Sequence, residues 1–386
     1  MASARSAING NEVILFDRND KPGKKLYITG KGRCNLTNYC SPKDFLESVI
    51  SNPKFLYGAI FSFSPQDTVE LIESNGTKTK VERGNRVFPV SDKASDVTKA
   101  LCHYAYDSGV KFVNETVLDI DKTDDTFTVT TDCGMYECDF VVICCGGLSY
   151  PTTGSTGDGY KFAKKFGHKI VKLRPALAPI ILKNDVKSLE GLSLKNVRAC
   201  FKGNSLFGEM LFTSNGVSGP IILSLSSLAK SDNLEGEILS IDLKPALDEQ
   251  TLDKRILSDF AKYKNKQIKN ALGDLLPKSL IPYIIQRSGI NEDKAVNAIS
   301  REELQKLVKT LKNLDFAVDK LDDIKHAIVT GGGVDTAQIN PKTMESKLVS
   351  GLFFAGETLD VDALTGGYNI QIALSTGYLA GNGTRR

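Results

Sequence analysis

Apolar positions along this chain fall into two patterns, and the switch between them outlines the architecture. Phe140–Cys145 and Leu352–Ala355 are uninterrupted apolar runs, as expected of strands covered on both faces. Thr126–Thr131 and Tyr136–Cys138 instead alternate, predicting a hairpin with one wet face. Between these lie helical stretches. Ala2–Ile8 reads as the end of a helix stopped by Asn9-Gly10, before a strand at 12–16 that ends on Asp17. Helices are predicted over 42–52, 65–74 (Ser64 and Asp67 suiting a capped start), 91–108 and 160–166. A hairpin is expected through Lys78–Phe88 and a further parallel strand at Val110–Val113.

From about Lys172 the pattern changes. Short strands punctuated by glycine and proline run to about Lys244, predicting a small antiparallel barrel or sandwich. Residues 248–322 read as amphipathic helices broken at Pro277, Pro282 and Gly289. At Ala327–Val334 the strand-and-glycine style returns. The simplest fold is α/β, a two-part Rossmann-like nucleotide-binding domain interrupted by an insert. The expected boundaries are 1–172 for the first part and 331–386 for the second. The insert spans 173–330, divided into a β-barrel (173–245) and a helical subdomain (246–330).

Composition narrows the partners. The 386 residues are 41% hydrophobic and 25% charged, as in a soluble globular protein. A net charge of +3 gives no reason to expect nucleic acid or an anionic membrane, leaving a small-molecule substrate. No apolar run reaches membrane-spanning length and no leader pattern is visible, so a cytoplasmic location is expected. Eight cysteines include no CxxC pair and only three histidines are present, so no metal is expected and the thiols read as reduced. The composition leaves the oligomeric state open.

Candidate chemistry gathers at strand ends. Helix, glycine, strand and then Asp17 form the second half of a dinucleotide-binding βαβ unit, with Asp17 suited to a ribose diol. No GxGxxG occurs anywhere in the chain, so the first strand and its glycine turn are expected before residue 1. Lys24, Lys25, Lys31 and Arg33 crowd a glycine turn in a way that fits pyrophosphate neutralisation. In Gly30–Asn38 the glycines allow close approach to a flat ligand, and Asn35, Thr37 and Asn38 offer polar contacts. Cys34 is expected to pack rather than react. Gly146-Gly147 follows a buried strand and suits a phosphate or flavin-edge loop. In Gly351–Gly381, a strand ends on Gly356-Glu357 and Gly366-Gly367 opens a helix. That combination offers a carboxylate to a ribitol or ribose hydroxyl and free N–H groups to an anion or carbonyl oxygen.

Taken together, GKGRCNLTN (30–38), RVFPVSDKA (86–94), GGLSYPTTGSTGDGY (146–160), LFTSNGVSGP (211–220), TGGGV (330–334) and GLFFAGETLDVDALTGGYNIQIALSTG (351–377) resemble the BaiN/YhiN-type flavoproteins nearly end to end. The resemblance implies an FAD-binding fold carrying a barrel-plus-helical insert. It places Asp17 and Arg18 at the adenosine ribose, and Lys24, Lys25 and Gly30 near the pyrophosphate and flavin. Val117 would offer backbone contacts to adenine. Glu357 and Gly367–Ile370 (Gly367, Tyr368, Asn369, Ile370) would hold the ribitol and the pyrimidine edge. It implies an FAD-dependent oxidoreductase reducing conjugated C=C bonds of a 3-oxo steroid or bile-acid type substrate, with oxidation of small amines as the alternative. Tyr150 and Tyr368 are the candidate proton donors. Without a second glycine fingerprint, NAD(P)H would act only as a transient electron donor at the flavin face.

Overall fold

In the computed structural model, which describes residues 1–230 and 234–385, the chain forms two compact units. One is Met1–Ala176 with Asp323–Arg386, the other Leu177–Asp322. Residues 231–233 of the expected barrel segment, and Arg386, lie outside the described residues.

The first unit carries two parallel strand pairs, Ile14–Phe16 with Lys111–Val113 and Val141–Ile143 with Leu352–Phe354. Leu352, Phe353 and Phe354 are buried, as their unbroken apolar run requires. A three-stranded meander (Val117–Thr123, Thr126–Thr131, Met135–Cys138) and a small antiparallel sheet (Thr37–Asn38, Arg86–Pro89, Thr79–Glu82) complete the scaffold, together with the antiparallel pair Ile170–Ala176 and Val329–Val334. The helix Pro65–Ser74 opens with the expected Ser64/Asp67 capping box. Helix Tyr368–Gly383 packs against helices Ala2–Ile8 and Pro53–Ser62. Its small residues allow that proximity: a Cβ on Gly381 would sit 2.3 Å from the Ala2 carbonyl oxygen.

His168 follows the helix Asp158–Lys165 and belongs to this core rather than to chemistry. Its Nδ1 lies 3.2 Å from the Ala163 oxygen and its Nε2 2.8 Å from Ser346 Oγ, with the ring edge-on to Phe354. Burial lowers its pKa, opposed by the Ala163 carbonyl. A lowered folded-state pKa means that the unfolded chain binds the proton more readily. The stability contribution is therefore complete above about pH 6.5 and declines as pH falls from there toward the folded value. His168→Gln is expected to flatten the stability profile between about pH 7 and 5 relative to wild type. Urea unfolding of both proteins across that range measures it, and parallel profiles would remove His168 from the account.

In the second unit, six strands close a barrel in the order Ile180–Leu182, Gly216–Ser218, Asn204–Thr213, Ser193–Phe201, Ile238–Asp242, Leu314–Leu321. Phe201, Phe212 and Phe316 fill its core with Leu239 and Ile241. Three sequence expectations change here. The sixth strand, Leu314–Leu321, lies in the stretch read as helical; Leu314, Phe316 and Val318 are buried while Asp315 and Asp319 are exposed, a two-residue period. Pro220–Leu228, read among strands, is a helix opened by Pro220; Ser224, Ser226 and Ser227 lie among its apolar residues and are buried with them, so the polar positions mark neither a helix face nor a strand face. Pro282 does not break a helix. It stands in the first turn of Ile281–Ser288, where its missing N–H costs nothing, and Gly289 ends that helix at φ +68°.

Candidate active site of the first unit

Three strand ends bring polar side chains together. Val141–Ile143 runs into Gly146-Gly147, Leu352–Phe354 into Gly356-Glu357, and Val329–Val334 supplies Thr330. Glu357 is the hub: Oε1 accepts from the Thr330 N–H (2.8 Å) and Ser149 Oγ (3.0 Å), while Oε2 accepts from Lys25 Nζ (2.7 Å). Lys25 also donates to Ser149 Oγ at 2.6 Å, and Thr330 Oγ1 accepts the Leu148 N–H at 2.8 Å. Tyr160 donates to the Glu357 carbonyl, and burial followed by the Glu357 charge raises its phenol pKa. Gly147 has to be glycine for the knot to close, since a Cβ there would lie 2.3 Å from Thr330 Oγ1 and 2.9 Å from Glu357 Oε1.

A second meeting point joins the GKGRCNLTN loop to the last helix. Gly367, at φ +97°, precedes Tyr368 and lies so close to Thr37 that a Cβ would meet its carbonyl at 2.5 Å. Thr37 Oγ1 donates to Gln371 Oε1 (2.7 Å), and Asn38 Nδ2 donates to the Gly84 oxygen at 2.9 Å and the Gly366 oxygen at 3.3 Å. The helix start thus stands beside the loop that sequence alone had marked for a flat ligand. Cys34 is fully buried there, and burial pushes its thiol up to about 11, so it packs.

At the far end, Asp17 Oδ1 accepts from the N–H and Nδ2 of Asn19, both at 2.9 Å, and Asn19 Nδ2 also reaches the Thr153 oxygen at 3.1 Å. Arg18 pairs with Asp158 and shares a cleft with Val117, Asp119 and Lys165. The ribose and adenine candidates Arg18 and Val117 are therefore brought together, on the side where Asp17 ends its strand.

Other candidates are placed differently from the sequence reading. Arg33 is not at the knot: its guanidinium pairs with Glu82 and Asp92 and lies 4.1 Å over the Phe88 ring. Its charge answers those carboxylates, which sequence distance had hidden. The Asn369 side chain bonds the N–H (3.0 Å) and carbonyl (2.9 Å) of Ala363, so it braces the preceding loop, leaving only its backbone at the helix start. Tyr368 sets its ring edge-on to Phe45 at 5.1 Å. Tyr150 takes a left-handed conformation at φ +51° and donates its N–H to the Lys325 oxygen. Burial raises both phenols, keeping them protonated proton donors. Lys24 and Lys31 are exposed, Gly146 is half-buried, and Gly356 donates its N–H to Thr376 Oγ1. Ile370 packs beside Cys34 and Leu36.

Sequence reasoning missed Ser149, Thr330, Asn19 and Asp158. Thr330, Ser149 and Asp158 each stood inside a quoted motif, next to glycines that had drawn the attention. Asn19 carries no signal without knowing that residues 17–19 meet 153–158 in space.

Two observations test whether these residues fit a dinucleotide with a flat ring. Glycines at 30, 147 and 367 remove side chains where backbone or polar groups lie within 3 Å of a would-be Cβ. One buried acceptor in the same loop, Asn35 Oδ1, has no partner among the described residues. The glycine contacts are with the chain's own Asn35, Thr330, Glu357 and Thr37, whereas the unpartnered Asn35 oxygen is an acceptor that a heterocycle's N–H would suit.

The model for the HI0933-like protein Rossmann domain matches residues 1–383. The chain belongs to the HI0933-like family. Among curated relatives of this HI0933-like protein, the ribosomal RNA dihydrouridine synthase of Escherichia coli (strain K12) is 32% identical over 382 residues, 97% of this chain and 92% of the relative. The enzyme of the same name from Haemophilus influenzae is 30% identical over 385 residues, 97% of this chain and 93% of that one. The 3-dehydro-bile acid delta(4,6)-reductase of Clostridium scindens is 29% identical over 389 residues, 99% and 94% of the two chains. The family is one of flavoprotein oxidoreductases, in agreement with the resemblance carried by the motifs. Among the described residues no helix is long and apolar enough to cross a membrane.

Proposed function

We propose that this HI0933-like protein is an FAD-dependent reductase of C=C bonds conjugated to a carbonyl. The observation that carries the reading is the Lys25–Glu357–Ser149–Thr330 knot, where three strand ends place a carboxylate and an ammonium beside glycine turns. Two different activities among the relatives, a dihydrouridine synthase and a bile-acid delta(4,6)-reductase, share that chemistry. In each, two hydrogens are added across a double bond conjugated to a carbonyl. Reduced FAD, when bound, supplies the hydride to the carbon β to that carbonyl. Glu357 would hold a ribitol hydroxyl in exchange for part of its present set. The backbone N–H groups at Gly367–Ile370 would hold a carbonyl oxygen at the ring edge. Tyr150, protonated and half-buried, is the candidate donor of the proton to the α carbon. NAD(P)H is the candidate electron donor.

Uridine in ribosomal RNA is the first substrate reading, because two relatives at 32% and 30% identity carry that name. This revises the small-molecule expectation drawn from the net charge of +3, since overall charge does not report a local surface. A 3-oxo steroid is the second, supported by the relative at 29%. None of these three names describes an amine. The test is anaerobic stopped-flow mixing of the photoreduced protein. Unmodified rRNA is expected to restore the oxidised flavin spectrum. Restoration by a 3-oxo-4,6-diene bile acid alone would move the substrate to the steroid class. If neither acts and a small amine bleaches the oxidised protein, the reductase reading fails.

A further inference from the structure

We infer that Asn35 is the residue that reads the ring imide of the bound heterocycle, its side-chain oxygen accepting from an imide N–H. The inference rests on the flavin-reductase reading above. Of the three polar side chains in Asn35–Asn38, Thr37 is committed to Gln371 and Asn38 to the carbonyls of Gly84 and Gly366. Of the three, Asn35 Oδ1 alone is left, buried and without a partner among the described residues. A buried carbonyl oxygen with nothing to accept from costs about 1–3 kcal/mol, so a position that keeps one calls for a donor from outside the chain.

The loop around it is built to hold that oxygen still. Gly30, Lys31, Gly32 and Cys34 all take positive φ (57°, 59°, 83° and 57°), and two of these are not glycine. Strain of that kind persists only where the surroundings fix it, and here Arg33 is clamped by Glu82 and Asp92 and laid over Phe88. Gly30 lets the turn close on itself: a Cβ there would stand 2.8 Å from the backbone nitrogen of Asn35 and 3.4 Å from the Phe88 ring. Two residues further on, Thr37 touches Gly367 at the start of the last helix, the place where a ring edge meets free N–H groups.

The imide N–H, flanked by two carbonyls, is common to the flavin pyrimidine ring and to uracil. The experiment separates these sources. Fluorescence titration gives the FAD dissociation constant of wild type, Asn35→Leu and Asn35→Asp, with N3-methyl-FAD, which lacks the donor, as second ligand. Asn35→Leu is expected to weaken FAD about tenfold, equivalent to about 1.4 kcal/mol. Asn35→Asp, which keeps an acceptor, should stay within about threefold of wild type, and N3-methyl-FAD should no longer distinguish wild type from Asn35→Leu. If FAD affinity is unchanged and the KM for rRNA rises instead, the imide is the substrate's. If both constants are unchanged in Asn35→Leu, the inference is wrong while the flavin reading stands. A wild-type chain that binds no FAD would sink the reading first. Circular dichroism checks folding, and a misfolded Asn35→Leu leaves the decision to Asn35→Asp with the N3-methyl ligand: discrimination between the two flavins supports the contact, and its absence refutes it.

Discussion

Glu357→Ala is expected to abolish FAD retention and to destabilise the protein by about 2–3 kcal/mol. Both oxygens of the carboxylate are engaged, and its removal leaves the Thr330 N–H without its acceptor and Lys25 with Ser149 alone. The Lys25 and Glu357 side chains retain only 25% and 18% of their exposure, so solvent replaces little of what is lost. A fully exposed pair would contribute far less, typically under about 1 kcal/mol. Glu357→Gln separates the two contributions. It preserves the shape and the acceptor for the Thr330 N–H but turns an amide N–H toward the Lys25 ammonium, so it should recover part of the stability and little of the flavin affinity. Urea melts and fluorescence titration of the three proteins check this. A Glu357→Ala protein that melts with wild type and retains FAD would show that the knot is incidental.

The second large effect is expected at Gly367. Alanine there meets two independent obstacles. The backbone is at φ +97°, and the added methyl would lie 2.5 Å from both the carbonyl carbon and oxygen of Thr37. The first costs about 1–3 kcal/mol and the second a similar amount, because backbone on both sides has no side-chain torsion to relieve it. The sum, about 2–6 kcal/mol, lowers the melting temperature by roughly 4–24 °C, taking about 2–4 °C per kcal/mol for a unit of this size. Gly167→Ala is the control, with φ +81° and no atom within 4 Å of the new methyl. It should show only the conformational part. Equal shifts in the two variants, read by differential scanning calorimetry, would remove the close approach of the helix to GKGRCNLTN from the argument.

Much of the architecture was legible in the chain because it depends on local periodicity. The buried strand Leu352–Phe354, the Thr126–Cys138 hairpin and the Ser64 cap each follow from local spacing, whereas Phe140–Cys145, read as covered on both faces, buries only Ile143 and leaves Cys144 and Cys145 exposed. The sixth barrel strand was legible too, in Leu314, Phe316 and Val318, but its alternation is short and directly follows a strongly amphipathic helix. Pro220–Leu228 was not: its serines at 224, 226 and 227 are buried along with its apolar residues, so the pattern shows no wet face of either period and the state is set by what surrounds it.

For the site, the sequence alone determined which residue types stand at strand ends: Asp17, the glycines at 146–147, Gly356-Glu357, and Gly366-Gly367 before a helix. Strand ends and positive-φ glycines are local properties, so one-dimensional pattern exposes them. Only the tertiary structure decided how these ends are wired. Lys25 meets Glu357 across 332 positions and Ser149 across 124, whereas Arg33, from the same basic turn, goes to Glu82 and Asp92. Charges on neighbouring residues are interchangeable in sequence and not in space, because each finds whichever partner the fold carries within about 4 Å. The same holds for Asn35: its type was plain in the motif, but that its oxygen alone lacks a partner emerges only once Thr37 and Asn38 have found theirs.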